Sequence, residues 1–133
     1  EGRKGGRTGP RLAGRKSERE GVRLGAAEAL GEMGESTACG ALISSLRDPS
    51  AQVRAAAARA LGKIGDPRSS IHLIEVLGDD SSAVRVNAVE ALGQVGDSGA
   101  AEVLQALIDK GDSDIRQEAY RALEKLKRRT GKE

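Results

Sequence analysis

The chain has 133 residues, of which 22 are basic and 20 are acidic, so the distribution of its charge is more informative than the net value of +2. One tyrosine is the only aromatic residue, which means that a core must be built from Leu, Ile, Val and Ala. A single cysteine excludes an internal disulfide, and the apolar stretches are too short to cross a membrane. These features favour an intracellular protein, located in the cytoplasm.

The two ends of the chain are basic, whereas the middle is acidic. Residues 1–16 contain six basic residues, five glycines and one large apolar residue, Leu12. Such a composition cannot offset the entropy of ordering the segment, so we expect a flexible basic tail over 1–16 and a frayed end over 130–133. Residues 121–133 carry six further basic residues. Basic ends can attract nucleic acid, although no stacking aromatic residues accompany them.

A period of 31 residues organises the rest of the chain. Val22, Val53, Val84 and Ile115 each precede an arginine and begin similar segments, which predicts stacked helical repeats. Ser17 and Glu20 have the spacing of a capping box, and the later helix starts fall on good N-cap residues, namely Ser50, Ser81 and Asp112.

Each repeat predicts two helices joined by glycines. In the second repeat an apolar stripe runs through Val53, Ala57, Ala60, Leu61 and Ile64. The first glycine of each recurring pair predicts a close helix approach, and the second predicts a left-handed helix end; the pairs are Gly31/Gly34, Gly62/Gly65 and Gly93/Gly96. Shorter second helices are expected over 36–47, 67–78 and 98–109.

The expected architecture is all-α, with repeats at about 17–48, 49–79 and 80–110. A final helix over 112–129 has no partner after it and carries charge on its outer face, as a terminal cap does. The repeat domain would thus cover residues 17–129.

The pattern VRxxAxxALGxxGD followed by a short helix resembles the HEAT-like repeat of the phycobilisome-lyase type over about residues 19–128. The resemblance implies a right-handed α-solenoid whose second helices line the concave side. It also implies a scaffold, an assembly factor or a subunit of a bilin-attaching lyase. Deoxyhypusine hydroxylases have similar repeats with His-Glu pairs as iron ligands. The matching positions here hold no histidine, which excludes that activity: Leu24-Gly25, Ala55-Ala56, Val86-Asn87 and Gln117-Glu118.

An arginine column and several single residues are the candidates for special roles. We interpret Arg23, Arg54, Arg85 and Arg116 as a structural ladder that pairs with acidic residues or helix-end carbonyls of adjacent repeats, with Asp66 and Asp97 as the expected partners and Glu35 as their weaker equivalent. Cys39 and Met33 are expected in the core. Tyr120 either shields the outer side of the last helix or contacts another chain.

The function that these features favour is a non-enzymatic scaffold that binds another protein along the second helices. His72 is the only histidine and has no companion ligands, so neither a metal, a cofactor nor a catalytic site is expected. A bilin-lyase subunit and a basic-tailed nucleic-acid accessory protein remain as alternatives. The outward positions of the second helices, where we expect a partner to bind, are Thr37, Ala41, Ser44, Arg68, His72, Glu75, Gly99, Val103 and Ala106.

Overall fold

The computed structural model describes the backbone of residues 2–131 and the side chains of residues 18–97 and 99–131. All regular structure in this part of the chain is helical, which confirms the all-α solenoid. The helices are α1 (Gly2–Met33), α2 (Cys39–Ser45), α3 (Ala51–Ile64), α4 (Ser70–Glu75), α5 (Ser82–Val95), α6 (Ser98–Lys110) and α7 (Ser113–Thr130). Short 3₁₀ turns at Ser36–Ala38 and Pro67–Ser69 lead into α2 and α4, and another at Val76–Gly78 follows α4.

The first helices of the repeats, α1, α3, α5 and α7, form one continuous layer. Each contacts the next, and the second helices α2, α4 and α6 cover the layer on one side. Each second helix packs more extensively on the first helix of the following repeat than on the first helix of its own repeat. The covalent repeat and the packed helix pair are therefore offset by one helix.

The core consists of the aliphatic rows that the spacing predicts. Five leucines are fully buried. Each second helix contributes one, and α3 and α5 contribute one each: Leu42, Leu73, Leu104, Leu61 and Leu92. Alanines of the first helices are buried beside them and allow the helices to approach closely. Cys39 is buried among these residues, as expected.

The helix ends follow local sequence signals in the two central repeats. Ser50 and Ser81 have extended backbone and accept hydrogen bonds from the amides of Val53 and Val84. Asp97 caps α6 through the amide of Ala100, whereas Asp112 precedes α7 without a side-chain capping bond.

The start of the first helix differs from the prediction. The backbone is already helical at Ser17, so this serine lacks the extended conformation that an N-cap requires. The flexible tail over 1–16 and the domain boundaries stay predictions, because the side chains of residues 1–17 lie outside those described. Of the predicted frayed end, Thr130 belongs to α7 and Gly131 caps it, while residues 132 and 133 lie outside the description.

The glycine pairs have the predicted roles with one exception. A Cβ at Gly31 would lie 2.8 Å from the Cα of Ala60, and one at Gly62 would lie 2.9 Å from the Cα of Ala91. Only glycine therefore fits at these two positions. Gly34 and Gly65 have positive φ and end their helices in the left-handed conformation. Gly96 has φ −71° instead, and a Cβ there would clash with the Leu92 carbonyl, so space rather than dihedral angle requires this glycine.

The prediction that Met33 belongs to the core is wrong. Its side chain is 63% exposed, whereas Val95, at the matching position two repeats later, is 2% exposed. Val95 belongs to the continuous core, whereas no described part of this chain covers Met33.

Candidate functional site

The arginine column lies beside the turns that end the second helices. Arg54, Arg85 and Arg116 are in the first turn of their helices, and Arg23 holds the matching position within the longer helix α1. Arg23 donates two hydrogen bonds to the carboxylate of Asp48, at 2.7 and 3.1 Å. Arg54 donates two bonds to Asp79 at 2.8 and 3.1 Å, and a third to the Asp48 carbonyl at 2.7 Å. Arg54 thus joins the turns that close the first and second repeats.

Asp66 and Asp97 are not the partners of these arginines. Asp66 follows the C-terminal end of α3, twelve positions after Arg54, which corresponds to about 18 Å along a helix. Its carboxylate instead accepts bonds from the side chain and the amide of Arg68, while Asp97 caps α6. The sequence signal for the true partners is an aspartate 25 positions after the arginine and two before a serine N-cap.

The two aspartates of these turns are held in the charged form. The pKa of Asp48 lies below its usual value because Arg23 donates hydrogen bonds to the carboxylate, and the Ser50 amide adds a further bond. Burial alone would raise the pKa of Asp79, but the bonds from Arg54 and from the Ser81 amide outweigh it and leave the pKa lowered.

Among the described residues, Arg85 and Arg116 have only backbone carbonyls as hydrogen-bond acceptors. Arg85 donates to the backbone carbonyls of Asp79 and Asp80, at 2.7 and 3.1 Å. The position 25 residues after it is Lys110, which cannot accept a hydrogen bond. Arg116 donates to the Gly111 carbonyl at 2.9 Å. The column is therefore anchored more strongly at its start than at its end.

The second-helix positions predicted to face outward are accessible. Seven of them are exposed, while His72 and Val103 are half-buried; the exposed residues are Thr37, Ala41, Ser44, Arg68, Glu75, Gly99 and Ala106. The structure therefore places these residues on the surface formed by α2, α4, α6 and the turns before them, where they are available to a partner.

The outer face of α4 combines an apolar side chain with charges of both signs. Ile71 is 64% exposed. Arg68, in the 3₁₀ turn that leads into α4, lies three positions before it, and Glu75 lies four positions after it on the same helix face. The guanidinium of Arg47, which follows α2, lies 3.9 Å from the Glu75 carboxylate, and His72 Nδ1 lies 3.8 Å from it. We call the residues Arg47, Arg68, Ile71, His72 and Glu75 the α4 patch.

Ile71 was missed by the sequence reasoning. The matching positions of the neighbouring repeats hold Gly40 and Glu102, so a large apolar residue at this point is not part of the shared core pattern. That difference between repeats was the available signal. Ile71 gives this otherwise polar face one apolar side chain that a partner could cover.

The first-helix layer carries shallow grooves between neighbouring helices. One, of about 470 Å³, is lined by Tyr120, Glu90, Glu118, Arg121 and other residues of α5 and α7. Burial raises the pKa of Glu118, and the nearby carboxylate of Glu90 adds to the effect. Tyr120 is 57% exposed at this edge.

Within the described residues, no group of three or more His, Cys, Asp or Glu side chains is placed to hold a metal ion. No helix in that part of the chain is long and apolar enough to cross a membrane. Burial raises the pKa of the Cys39 thiol, which makes it a weaker nucleophile than an ordinary cysteine.

Stacked two-helix units with a continuous aliphatic core define an α-solenoid repeat protein. The family model for HEAT repeats matches residues 10–85 and residues 72–131, and the chain belongs to this family. HEAT repeats generally mediate protein–protein interactions and are generally non-catalytic. A comparison with curated proteins found no match.

Proposed function

We propose that this chain is a non-enzymatic scaffold that binds another protein along the surface of its second helices, with the α4 patch at the centre. The observation that carries the proposal is Ile71, which is 64% exposed between Arg68 and Glu75. The phycobilisome-lyase resemblance, which implies that the second helices line a concave side, agrees with a partner lying along them.

The chemistry of the patch indicates what kind of partner fits. Full burial of an isoleucine side chain contributes roughly 1.5–3 kcal/mol, which is enough for one anchor but not for a tight complex. Arg47 is 79% exposed and lies 3.9 Å from Glu75, so this ion pair is weak and can be exchanged for an acidic group of a partner. Arg68 is 71% exposed but is held to Asp66 by two of its guanidinium nitrogens, so it adds a fixed positive group to the surface. A protein segment with one apolar side chain between acidic residues suits this surface, with additional contacts at Ala41, Ser44, Val103 and Ala106.

The test is a quantitative pull-down from the source cell with the intact chain and with surface variants. Ile71→Asp should reduce the recovery of specific partners strongly, and His72→Ala and Glu75→Ala should reduce it less. Ala83→Asp is the matched control, because Ala83 is exposed on α5 outside the second-helix surface. Equal recovery with Ile71→Asp and with the control would contradict the proposal, provided that both variants melt like the parent chain.

The resemblance to the phycobilisome-lyase type supports a second reading, a subunit that assists cofactor attachment. It predicts a bilin absorbance change when the chain, a partner lyase chain and free bilin are mixed. The basic ends support a third reading, an accessory to nucleic acid, which predicts binding that falls steeply with salt. Arg129 already donates to the Gly96 carbonyl at 2.7 Å and Arg121 lies 3.6 Å from Glu118, so part of the C-terminal charge has partners within the chain.

A further inference from the structure

One side of α1 presents an apolar stripe to solvent. Val22, Ala26, Ala29 and Met33 are all exposed, and their spacing places them on one face of the helix. Val22 is 71% exposed and Met33 is 63% exposed. We call these four residues the leading stripe, because by helical spacing their face is opposite Gly31, which contacts Ala60 of α3.

The same four positions are buried in α5 and α7, and the first three of them are buried in α3. Val84, Ala88, Ala91 and Val95 of α5 are each at most 2% exposed, and the matching residues of α7 are buried as well. In α3, Val53, Ala57 and Ala60 are buried and Ile64 is half-buried. The leading stripe therefore has the same residue types as the internal contacts between repeats, but it is exposed whereas they are buried.

The internal joints show what covers such a stripe. The alanine at the third position lies under a glycine of the preceding first helix: Ala60 meets Gly31, Ala91 meets Gly62 and Ala122 meets Gly93. The preceding second helix packs on the same first helix. Ala29 is the matching alanine of α1, and no described glycine of this chain lies over it.

Two features distinguish the two edges of the described solenoid from its internal joints. Position 19, which matches the N-caps Ser50 and Ser81, is Arg19, and α1 continues through it without a turn. At the opposite edge, α7 carries Glu124 where the earlier first helices carry glycine, so a second copy cannot approach α7 as closely as the internal joints require.

We propose that the leading stripe is a docking face for a HEAT-type repeat of another polypeptide chain, with a glycine on its first helix over Ala29. The contact would continue the established interface between repeats rather than use the second-helix surface. It is independent of the function proposed above, since it depends on α1 and not on the α4 patch.

The test uses a variant of this chain, called the probe, whose last repeat is not covered by a capping helix. In the probe, a second copy of residues 80–110 replaces residues 111–133, so that the chain ends in a complete repeat with an uncovered glycine. Ala29→Glu in the probe closes its own leading stripe. The probe and the parent chain are mixed, and the mass of the complex is measured by sedimentation.

We expect a complex of one parent chain with one probe. Ala29→Glu in the parent chain should weaken it by at least about tenfold, whereas Ala83→Glu, at an exposed alanine of α5, should leave it unchanged. The proposal is overturned if a cooperatively melting probe does not bind, or if Ala29→Glu has no effect. It is also overturned if the parent chain alone dimerises through Ala29, since a second copy would then be the occupant.

A second measurement remains informative if the probe does not fold. A copy of residues 49–79 in place of residues 1–17 puts a matching repeat before α1 in the same chain. Met33, the only methionine, should then form its sulfoxide in dilute peroxide roughly tenfold more slowly than in the parent chain. Unchanged oxidation in this folded chain would show that the stripe does not accept a repeat.

Discussion

The turns that close the second and third repeats occupy matching places in the solenoid but differ in chemistry. At the second turn, Asp79 binds Arg54 through its carboxylate and caps the turn through the Ser81 amide. At the third turn, Lys110 replaces the aspartate, and Arg85 is left with backbone carbonyls of the preceding turn. The core beneath the two turns is the same, so the comparison separates what the shared packing contributes from what the polar joint contributes.

The largest expected loss of stability comes from substitutions in the core, which is alike beneath the second and third turns. Leu61 and Leu92 are both 0% exposed. Leu61→Ala and Leu92→Ala should each lower the free energy of unfolding by roughly 2–5 kcal/mol, because each leaves a cavity between two helix layers. Urea denaturation followed by circular dichroism measures this, and costs below 1 kcal/mol would contradict the stacking arrangement.

The glycines at the joints should give the next largest effect. A Cβ at Gly93 would lie 3.0 Å from the Cα of Ala122, so Gly93→Ala forces two helices apart and should cost about 1–3 kcal/mol. Gly25→Ala is the control, because nothing lies within 4 Å of a Cβ there. That substitution should raise stability by about 0.5–1 kcal/mol through helix propensity, and the same sign for both variants would contradict this account.

The arginines should differ from one another according to their partners. Arg54→Ala removes three hydrogen bonds and leaves Asp79, whose side chain is 11% exposed, without its cation, so we expect a loss of about 2 kcal/mol. Arg116→Ala removes one bond to an exposed carbonyl and should cost about 0.5 kcal/mol. Thermal unfolding of the two variants and the parent chain measures this difference as a larger drop in melting temperature for Arg54→Ala than for Arg116→Ala.

The loss of stability caused by Arg54→Ala should also depend on pH, and it should become smaller in acid. The folded-state pKa of Asp79 lies below its unfolded value, so the pair stabilises the fold above the unfolded pKa of about 4. This stabilisation is lost as the pH falls through the folded pKa. The difference between parent and variant should therefore be constant from pH 5 to 8 and shrink below pH 4, and a difference that grows in acid would show another cause.

The smallest expected change in stability comes from a substitution that restores the missing carboxylate. Lys110→Asp gives Arg85 the partner that Arg23 and Arg54 have, and should stabilise the chain by about 0.5–1 kcal/mol. The same substitution in an Arg85→Ala background should have no stabilising effect. A gain that persists without Arg85 would mean that removal of the lysine, and not a new pair, is responsible.

The sequence predicted the parts of this structure that depend on local spacing. The 31-residue period, the serine caps at Ser50 and Ser81 and the close approach at Gly62 follow from residue types at fixed intervals. The partners of the arginines did not follow, because a side chain 25 positions away is brought close only by the turn geometry. Met33 was wrongly placed because the repeat average assumes a neighbour on both sides, and a repeat at an edge has one.

The α4 patch was predicted in part for a similar reason. Arg68, His72 and Glu75 were found from helical spacing, since outward positions of a helix can be counted. Ile71 was not found, because the spacing argument compares repeats for what they share, and Ile71 is distinguished by its difference from Gly40 and Glu102. Arg47 belongs to the patch only through its position in the fold.

The offset between covalent repeats and packed helix pairs has a mechanical consequence. Polar contacts between repeats join positions no more than 33 residues apart, so tension applied at the two ends is carried through each joint in series. A pulled chain would therefore lose its helices one neighbour at a time. The breaks are expected first near Lys110, where the polar joint lacks its carboxylate, and the segment around Arg54 should yield last.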